Sequence, residues 1–313
     1  MIKLPLQYLK HVRSLPGLLH WDTGPINNTV FLTGTGRSGT TWIQDVINYD
    51  NNYRVMFEPF HNRRLALLKG WNNRQYLRPD DETPFRDAIN QILTGRVRSL
   101  WVDRFNKQFL PGKRLIKDIR THFIMRWVNV HYPDIPQILL MRHPCAIALS
   151  KIQLGWHPDL TVFTSQKELI GDFFEPFIPV IESASTDFEK HLIQWCVENY
   201  VPLCQFGQGE LLVCVYEHFC ETPEPAVRRL FSFLGQESPD KALAVMNIAS
   251  PMARKHSAIN QNKSRTSGWR ATLSGEQIKA AASILSAFGF DRIYSSSSSM
   301  PLVSEDEILS LFA

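Results

Sequence analysis

The sequence is poor in cysteine and lacks any spacing that would organise its cysteines into a site. Its 313 residues include five, none in a C-x-x-C pair: Cys145, Cys196, Cys204, Cys214 and Cys220. An odd number without paired spacing disfavours both a disulfide framework and a structural zinc site. We therefore expect reduced, buried thiols and no bound metal.

Long apolar runs and a strong charge of either sign are also missing. Lys and Arg number 34 against 30 Asp and Glu, so the formal net charge is only +4. This mild excess suits an anionic ligand but does not by itself indicate nucleic-acid binding. The first residues interrupt their apolar side chains with Lys3, Lys10, His11 and Arg13, a pattern that disfavours a signal peptide or a membrane span. We expect a cytoplasmic protein without a transmembrane segment.

The length and composition bound the domain organisation. Hydrophobic residues make up 44% of the chain and charged residues 20%, as in ordinary globular proteins. We predict a single domain over residues 1–294, whose first 27 residues form an N-terminal extension. Five consecutive serines, Ser295 to Ser299, mark a linker. The tail after them, within 295–313, either folds back as one short helix or stays mobile.

The most informative stretch is a glycine-rich turn, Gly34-Thr-Gly-Arg-Ser-Gly-Thr-Thr41. The apolar, β-branched run Val30–Thr33 before it predicts a buried strand, and the apolar residues after it recur at helical spacing. A strand, a glycine turn and a helix form a cradle for phosphate, because the backbone approaches the anion closely and the helix N-terminus directs N–H groups at it. The alternative is an unrelated turn between a strand and a helix.

This turn lacks the lysine of the Walker pattern G-x-x-x-x-G-K-[ST]. Gly34, Gly39 and Thr41 fit the pattern, but Thr40 stands in the lysine position. In kinases and ATPases that lysine reaches the β- and γ-phosphates, so its absence disfavours a triphosphate. Arg37 supplies a cation inside the turn instead. The predicted ligand is therefore an anion other than a γ-phosphate.

A charged residue stands at the end of each of three further predicted strands. Glu58 comes directly after Tyr53–Phe57, Lys117 is the last residue of Arg114–Lys117, and Arg142 is the last residue of Gln137–Arg142. The carboxyl ends of parallel strands share one edge of the sheet, so we expect these side chains near the glycine turn. A carboxylate there would take a proton from an acceptor hydroxyl. The alternative role for Glu58 is that of a turn-forming or helix-capping residue before Pro59.

Two more cationic features complete the pattern. Ser150 lies two turns into the helix after Arg142, so both side chains can reach one phosphate. The alternative role for Arg142 is that of an ion-pair partner, which is the more common role of a lone Arg. The segment 251–275 holds five basic residues and no acidic one: Arg254, Lys255, Lys263, Arg265 and Arg270. We predict a loop that closes over a phosphate, with a plain surface loop as the alternative. The capping box Ser274-Gly-Glu-Gln277 then opens a helix that ends near Ala287.

Three motifs in this order resemble those of sulfotransferases that use 3′-phosphoadenosine-5′-phosphosulfate (PAPS). They are Gly36-Arg-Ser-Gly-Thr-Thr-Trp42, Arg142-His-Pro-Cys-Ala-Ile-Ala-Leu-Ser150 and Ser264-Arg-Thr-Ser-Gly-Trp-Arg-Ala-Thr-Leu-Ser-Gly-Glu-Gln277. The resemblance spans roughly residues 28–292 and is strongest to the carbohydrate sulfotransferase branch. It implies an α/β fold with a P-loop-like central parallel β-sheet flanked by helices on both faces.

The resemblance assigns the nucleotide contacts residue by residue. The 5′-phosphosulfate would be held by Arg37, Ser38, Gly39, Thr40 and Thr41, and the 3′-phosphate by Arg142 and Ser150. Trp42 and Tyr216 would lie near the adenine. The loop from Arg254 to Arg270, with Arg265, Trp269 and Arg270, would close over the nucleotide.

The resemblance also implies the catalytic residues and the reaction. Cytosolic small-molecule members carry a histidine in a K-T-H motif where this chain has Lys117-Asp118-Ile119, whereas the F-E-P motif of the carbohydrate branch matches Phe57-Glu58-Pro59. Glu58 is the implied base, assisted by Arg37 and Lys117, with His61 and His122 as runners-up.

The implied reaction is in-line transfer of a sulfuryl group from PAPS to a hydroxyl or amine. It leaves adenosine 3′,5′-bisphosphate and needs no metal. The expected partner is a carbohydrate, glycoconjugate or small-molecule acceptor rather than nucleic acid. A P-loop kinase of a small molecule and a non-catalytic nucleotide-binding protein remain the alternatives.

Overall fold

A sheet of parallel strands forms the centre of the computed structural model, which describes residues 22, 24–237, 240–246, 248 and 264–313. Its five strands lie in the order β2-β3-β1-β4-β5. They are β1 (Thr29–Thr33), β2 (Tyr53–Phe57), β3 (Lys113–Asp118), β4 (Gln137–Met141) and β5 (Leu212–Val215). All of their residues except Lys113 are buried, as in sheets covered on both faces. The predicted α/β fold class is confirmed.

Helices connect and cover the strands. Those before β5 are α1 (Thr40–Ile47), α2 (Arg86–Leu93), α3 (Met125–His131), α4 (Pro144–Ile152), α5 (Thr161–Thr164), α6 (Lys167–Leu169), α7 (Ile178–Ser183) and α8 (Asp187–Gln205). Those after it are α9 (Tyr216–Glu221), α10 (Pro223–Phe233), α11 (Asp240–Val245), α12 (Gly275–Ala287) and α13 (Glu305–Ile308). Both sides of the predicted capping box at Ser274 are present.

The strands divide the core into two layers. Along β1 the side chain of Phe31 joins one apolar cluster, while Val30 and Leu32 join the other, because successive strand residues face opposite sides. The first layer is covered by α4, α8 and α12, and the second by α1 and α10. The sheet is therefore sandwiched between helices, and its polar residues concentrate at the strand ends.

Two local predictions need correction. The apolar run Leu211–Tyr216 predicts a strand that ends at Tyr216, but Tyr216 begins α9, because β5 pairs with β4 no further than Val215 opposite Met141. The apolar pattern from Thr121 to Tyr132, before Pro133, predicts one helix, but this segment begins as a 3₁₀ turn, His122–Ile124, and becomes α-helical at Met125.

The C-terminal residues return to the sheet. The N–H of Val215 donates to Glu305 Oε1 at 2.5 Å, and Ile308 and Leu309 are buried. The ring of Phe312 lies 4.9 Å from that of Phe290. Most of the predicted N-terminal extension, together with Arg254, Lys255 and Lys263, lies outside the described residues. In the part of the chain that is described, no helix has both the length and the apolar content to cross a membrane.

A balanced set of buried charges lies at the amino-terminal edge of the sheet. Arg54 of β2 and Arg114 of β3 are register partners, and both are almost completely buried. Asp22 receives hydrogen bonds from Arg114 Nη2 at 2.7 Å and Arg54 Nη1 at 3.0 Å, and Asp103 pairs with Arg54 Nε at 2.9 Å. We call these four residues the lower charge cluster. It ties the segment before β1 to two strands.

Replacing Asp22 by Asn should lower the free energy of unfolding by about 3–5 kcal/mol, because two buried guanidinium groups lose a shared carboxylate. Urea denaturation measures the loss, and the exposed Glu224→Gln, which affects only an ion pair within α10, is the matched control. An effect no larger than that of the control would contradict the structural role.

The same variant should change the acid limb of stability. Burial would raise the pKa of Asp22, but its hydrogen bonds and charge interactions with Arg114 and Arg54 outweigh burial and hold that pKa below its usual range. The carboxylate therefore contributes stability above the ordinary aspartate pKa, and this contribution is lost as the pH falls through the lower folded pKa. Because asparagine does not titrate, the free energy of unfolding of Asp22→Asn should fall less over this acidic range than that of the unaltered protein.

Candidate active site

Two residues with catalytic assignments adopt strained backbone conformations. Arg37 has φ 79° and Glu58 has φ 46°, in the left-handed region that side chains other than glycine rarely occupy. Each such conformation costs on the order of 1–3 kcal/mol and persists only where the surroundings impose it. Both residues follow a strand end, at the same edge of the sheet. This edge is the candidate site.

The glycine turn is packed too tightly for side chains at two positions. A Cβ at Gly34 would lie 2.6 Å from the carbonyl oxygen of Leu140, and one at Gly39, where φ is 100°, would lie 2.6 Å from the Tyr216 ring. The Oγ of Ser38 is buried without a hydrogen-bond partner among the described residues. The turn leads directly into α1, whose first N–H groups have no intrahelical acceptor. It is thus a close-fitting array of hydrogen-bond donors.

The predicted cations converge on this turn. Arg37 Nε donates to Ser150 Oγ at 3.1 Å, and Arg142 Nη1 donates to the carbonyl oxygen of Arg37 at 3.0 Å. Arg142 Nη2 reaches the carbonyl of Arg265 at 3.0 Å, while its Nε is buried without a hydrogen-bond partner among the described residues. The loops after β1 and β4 meet where the strand order reverses, the usual ligand position in such sheets.

Two neighbouring aromatic rings, each with a guanidinium group against it, flank the turn. The rings of Trp42 and Tyr216 lie 5.4 Å apart. Arg142 lies 4.2 Å above the Tyr216 ring, and Arg265 lies 5.5 Å from the Trp42 ring. Burial raises the pKa of Tyr216 to about 12, so the phenol stays neutral. A cavity of about 400 Å³ borders Arg265 beside this pair of rings.

Trp269 and Arg270, which we expected to contact the nucleotide, differ in their exposure to solvent. The Trp269 ring is buried and stacks on His143, with centroids 4.2 Å apart and an interplanar angle of 24°. Arg270 is exposed. Trp269 therefore anchors its loop to His143, the residue after Arg142, and it packs there rather than on Trp42 or Tyr216.

Glu58 is held by two cations. Lys117 Nζ and Arg120 Nη1 each donate to a different carboxylate oxygen, both at 2.8 Å. Burial would raise the pKa of Glu58, but the charges and hydrogen bonds of Lys117 and Arg120 outweigh it and lower the pKa below its usual range. Glu58 is therefore ionised at neutral pH. Because β3 lies between β2 and β1, Lys117 is positioned between Glu58 and the glycine turn.

Arg120 and Asp118 complete this arrangement, and neither was among the predicted site residues. Asp118 accepts the N–H of Phe60 at 2.8 Å and that of Arg120 at 2.9 Å, which fixes both loops around Glu58. Burial raises the pKa of Asp118 to about 6. Arg120 lies in a bend beyond β3, and no sequence spacing indicates that its side chain returns to Glu58.

The two runner-up histidines differ in position. The N–H of His61 donates to the Glu58 carbonyl at 3.3 Å, and its ring lies against Trp101. His122 is buried, and neither ring nitrogen has a hydrogen-bond partner among the described residues. Burial lowers the pKa of each to about 4, so both are neutral at pH 7.

A polar cavity of about 630 Å³ opens beside the glycine turn. It runs from Gly36 past Ile119 and Trp156 toward α8. The polar and charged residues that line it are Asn62, Arg63, Asn72, Asn73, Arg74, Lys151, His157, Asp159, His191 and Gln194. Its size is that of a small-molecule site. We call this space the polar cavity.

Comparison with known proteins places the chain in a family. The model of the sulfotransferase family (Sulfotransfer_3) matches residues 29–240. The nodulation protein NoeE of Sinorhizobium fredii (strain NBRC 101917 / NGR234) is 22% identical over 285 residues, which are 85% of this chain and 65% of NoeE. The chain thus spans slightly less than two thirds of that relative.

Solved structures with similar folds have low sequence identity to this chain. A sulfotransferase domain from the curacin biosynthetic pathway is 14% identical, with TM-score 0.43 and coverage of 90% of this chain and 95% of that one. Sulfotransferase STF9 from Mycobacterium avium is 15% identical, with TM-score 0.45 and coverage of 90% and 80%. The family model covers more than half of the sequence, and the chain therefore belongs to the sulfotransferase family.

Proposed function

We propose that this sulfotransferase moves a sulfuryl group from PAPS to a hydroxyl or amine of a carbohydrate or glycoconjugate acceptor. The observation that carries the proposal is the convergence of Arg37, Arg142 and Ser150 on a glycine turn that has Thr40 in place of the Walker lysine. Cations are present for a phosphosulfate and a second phosphate, while the main contact of a γ-phosphate is missing.

The residues fit the proposed donor. The backbone at Gly34 and Gly39 admits close approach of an anion, and Ser38 Oγ and Arg142 Nε have unused hydrogen-bonding capacity among the described residues. We assign the 5′-phosphosulfate to the turn from Arg37 to Thr41, and the 3′-phosphate to Arg142 and Ser150. PAPS supplies the electrophilic sulfuryl group and, as leaving group, adenosine 3′,5′-bisphosphate.

The protein contributes position and charge. The N–H groups at the start of α1 and the guanidinium of Arg37 are fixed before the reaction, so they stabilise developing negative charge without reorganising. Transfer reactions of this type depend on such positioning more than on covalent chemistry by the protein.

We assign the base to Glu58, which is ionised and therefore able to accept the acceptor's proton. Its low pKa makes it a weak base while Lys117 and Arg120 hold both oxygens. An anion on the glycine turn would attract Lys117 from the neighbouring strand, which weakens the hold on Glu58 and raises its basicity. Lys117 then couples donor binding to activation of the base.

The acceptor assignment is supported by two features. The Phe57-Glu58-Pro59 sequence is similar to that of carbohydrate sulfotransferases. The polar cavity contains three asparagine side chains and Trp156, the amide and aromatic groups that suit sugar hydroxyls and sugar faces. Gly36 belongs to the glycine turn and also lines this cavity, so an acceptor bound in the cavity would contact the donor at the turn.

Adenosine 3′,5′-bisphosphate should raise the melting temperature without added metal, whereas ATP should not. At a concentration 100-fold above Kd, a ligand specific for the folded state adds about 2.7 kcal/mol of stability. Arg142→Ala should lose this stabilisation, while Arg228→Ala, which removes an exposed ion pair of α10, should keep it. No shift with the bisphosphate, together with a Mg²⁺-dependent shift with ATP, would favour a kinase.

Glu58→Gln should lower the rate of sulfuryl transfer by about 10²–10⁴-fold while affinity for adenosine 3′,5′-bisphosphate remains. Transfer is followed from ³⁵S-labelled PAPS to a panel of free sugars, below the melting temperature of the variant, since Lys117 and Arg120 lose their counter-charge. His61→Ala serves as the matched variant beside it. Full turnover by Glu58→Gln would make this carboxylate structural, and loss of turnover in His61→Ala alone would move the base to His61.

A further inference from the structure

The polar cavity contains a buried cation without a hydrogen-bond partner. Lys151 of α4 is 2% exposed, and its Nζ forms no hydrogen bond with any described residue. An ammonium group has three donors, and burying it unsatisfied is costly. Gly36 of the glycine turn and Lys151 line the same cavity, so this cation and the turn border one space. A ligand group in the cavity would satisfy it.

The charges behind Lys151 do not balance. Glu198 of α8 is fully buried; its Oε1 accepts Arg74 Nε at 2.5 Å and Gln194 Nε2 at 2.7 Å, while its Oε2 has no hydrogen-bond partner among the described residues. The neighbouring His122 is neutral, since burial lowers its pKa to about 4. One carboxylate therefore faces two cations, Arg74 and Lys151. The buried wall of the cavity has a surplus of one positive charge.

The mouth of the cavity adds to this surplus. Arg63 lines it and forms no ion pair within the described residues. Among the described residues of the lining the acidic one is Asp159, which accepts the N–H of Thr161 at 2.9 Å and its hydroxyl at 2.5 Å. Such a cavity concentrates anions.

Neutral hydrogen-bonding groups surround the cation. The side-chain oxygens of Asn62 and Asn73 and the Nδ1 of His191 are buried without hydrogen-bond partners among the described residues. These groups suit the hydroxyls of a sugar, and Trp156 offers an apolar face. The lining therefore combines sugar-type recognition with a site for negative charge.

We propose that the acceptor carries an anionic substituent, a carboxylate or a phosphate or sulfate ester, which Lys151 binds inside the polar cavity with Arg63 at its mouth. The inference rests on the proposed function, since that function makes this cavity the acceptor site. Lys151 is then a residue that determines acceptor specificity. It takes no part in the transfer itself.

Calorimetric titration tests this with the whole protein saturated in adenosine 3′,5′-bisphosphate, so that added anions cannot occupy the nucleotide site. D-Glucuronate, glucose 6-phosphate and glucose 6-sulfate are compared with glucose, which separates carboxylate from phosphate and sulfate. At least one anionic sugar should bind about tenfold or more tightly than glucose, the effect of one charge-assisted hydrogen bond. Equal affinity for all four at pH 7 would overturn the proposal.

Lys151→Met separates recognition from a structural role. The variant keeps the length of the side chain and removes a buried charge, so we expect unchanged or higher stability, retained affinity for glucose and loss of the anion preference. Lys167→Met, on the exposed surface of α6, is the matched control and should keep the preference. A structural bridge between Lys151 and Glu198 predicts the opposite: a lower melting temperature and an unchanged preference.

The pH dependence gives a second readout. Burial lowers the pKa of Lys151 to about 8, with Glu198 opposing and Arg74 adding to the shift. Burial raises the pKa of Glu198, but Arg74, His122 and Lys151 reverse this and lower it to about 2; burial also lowers the pKa of His191. Between pH 7 and 9 Lys151 is therefore the group facing this wall that changes charge. The anion preference should weaken from pH 7 to 9, and it should persist in Lys151→Arg, which stays charged.

These measurements also separate this inference from the proposed function. If adenosine 3′,5′-bisphosphate stabilises the protein but no anionic sugar is preferred, the donor assignment stands and the acidic acceptor is wrong. If the bisphosphate does not bind, the titrations are repeated without it. A Lys151-dependent anion preference would then support an acidic ligand while the sulfuryl donor assignment falls.

Discussion

Parallel pairing of the strands is the constraint on which the whole candidate site depends. Parallel neighbours send their following residues to one edge of the sheet. The strand order then decides which of those residues meet: β3 lies between β2 and β1, so Lys117 reaches Glu58, and β4 adjoins β1, so Arg142 reaches the carbonyl of Arg37. Residues far apart in the chain thereby become parts of one site.

The ratio of positive to negative side chains distinguishes the lower charge cluster from the wall of the polar cavity. In the lower charge cluster two arginines share two aspartates, Asp22 and Asp103, and the balance is complete. At the opposite edge Glu58 and Asp118 together face Lys117 and Arg120, so this group is balanced as well. In the wall of the polar cavity, by contrast, the single carboxylate of Glu198 faces both Arg74 and Lys151. The same residue types are present at both places. A deficit of carboxylates, rather than the presence of arginine or lysine, is the feature that suits the wall of the polar cavity to binding an anion.

Much of this arrangement was predictable from short-range patterns. Buried strands appear as apolar, β-branched runs, so the extents of β1, β2 and β4 differ from the predicted ones by no more than one residue. The glycine spacing predicts the turn because close backbone approach excludes a Cβ at Gly34 and Gly39. Tyr216 was assigned to the wrong element, since an apolar run does not reveal where a strand loses its pairing partner.

By itself, the sequence determined the strands, the glycine turn and the charged residues that follow the strand ends, because these depend on neighbours within a few positions along the chain. Only the tertiary structure decided that Arg120 returns to Glu58, that Trp269 stacks on His143, and that Lys151 is buried. A lysine after Ser150 resembles any solvated helix residue until α8 covers it. Burial and charge balance are sums over residues distant in sequence, so they are set when the chain has folded.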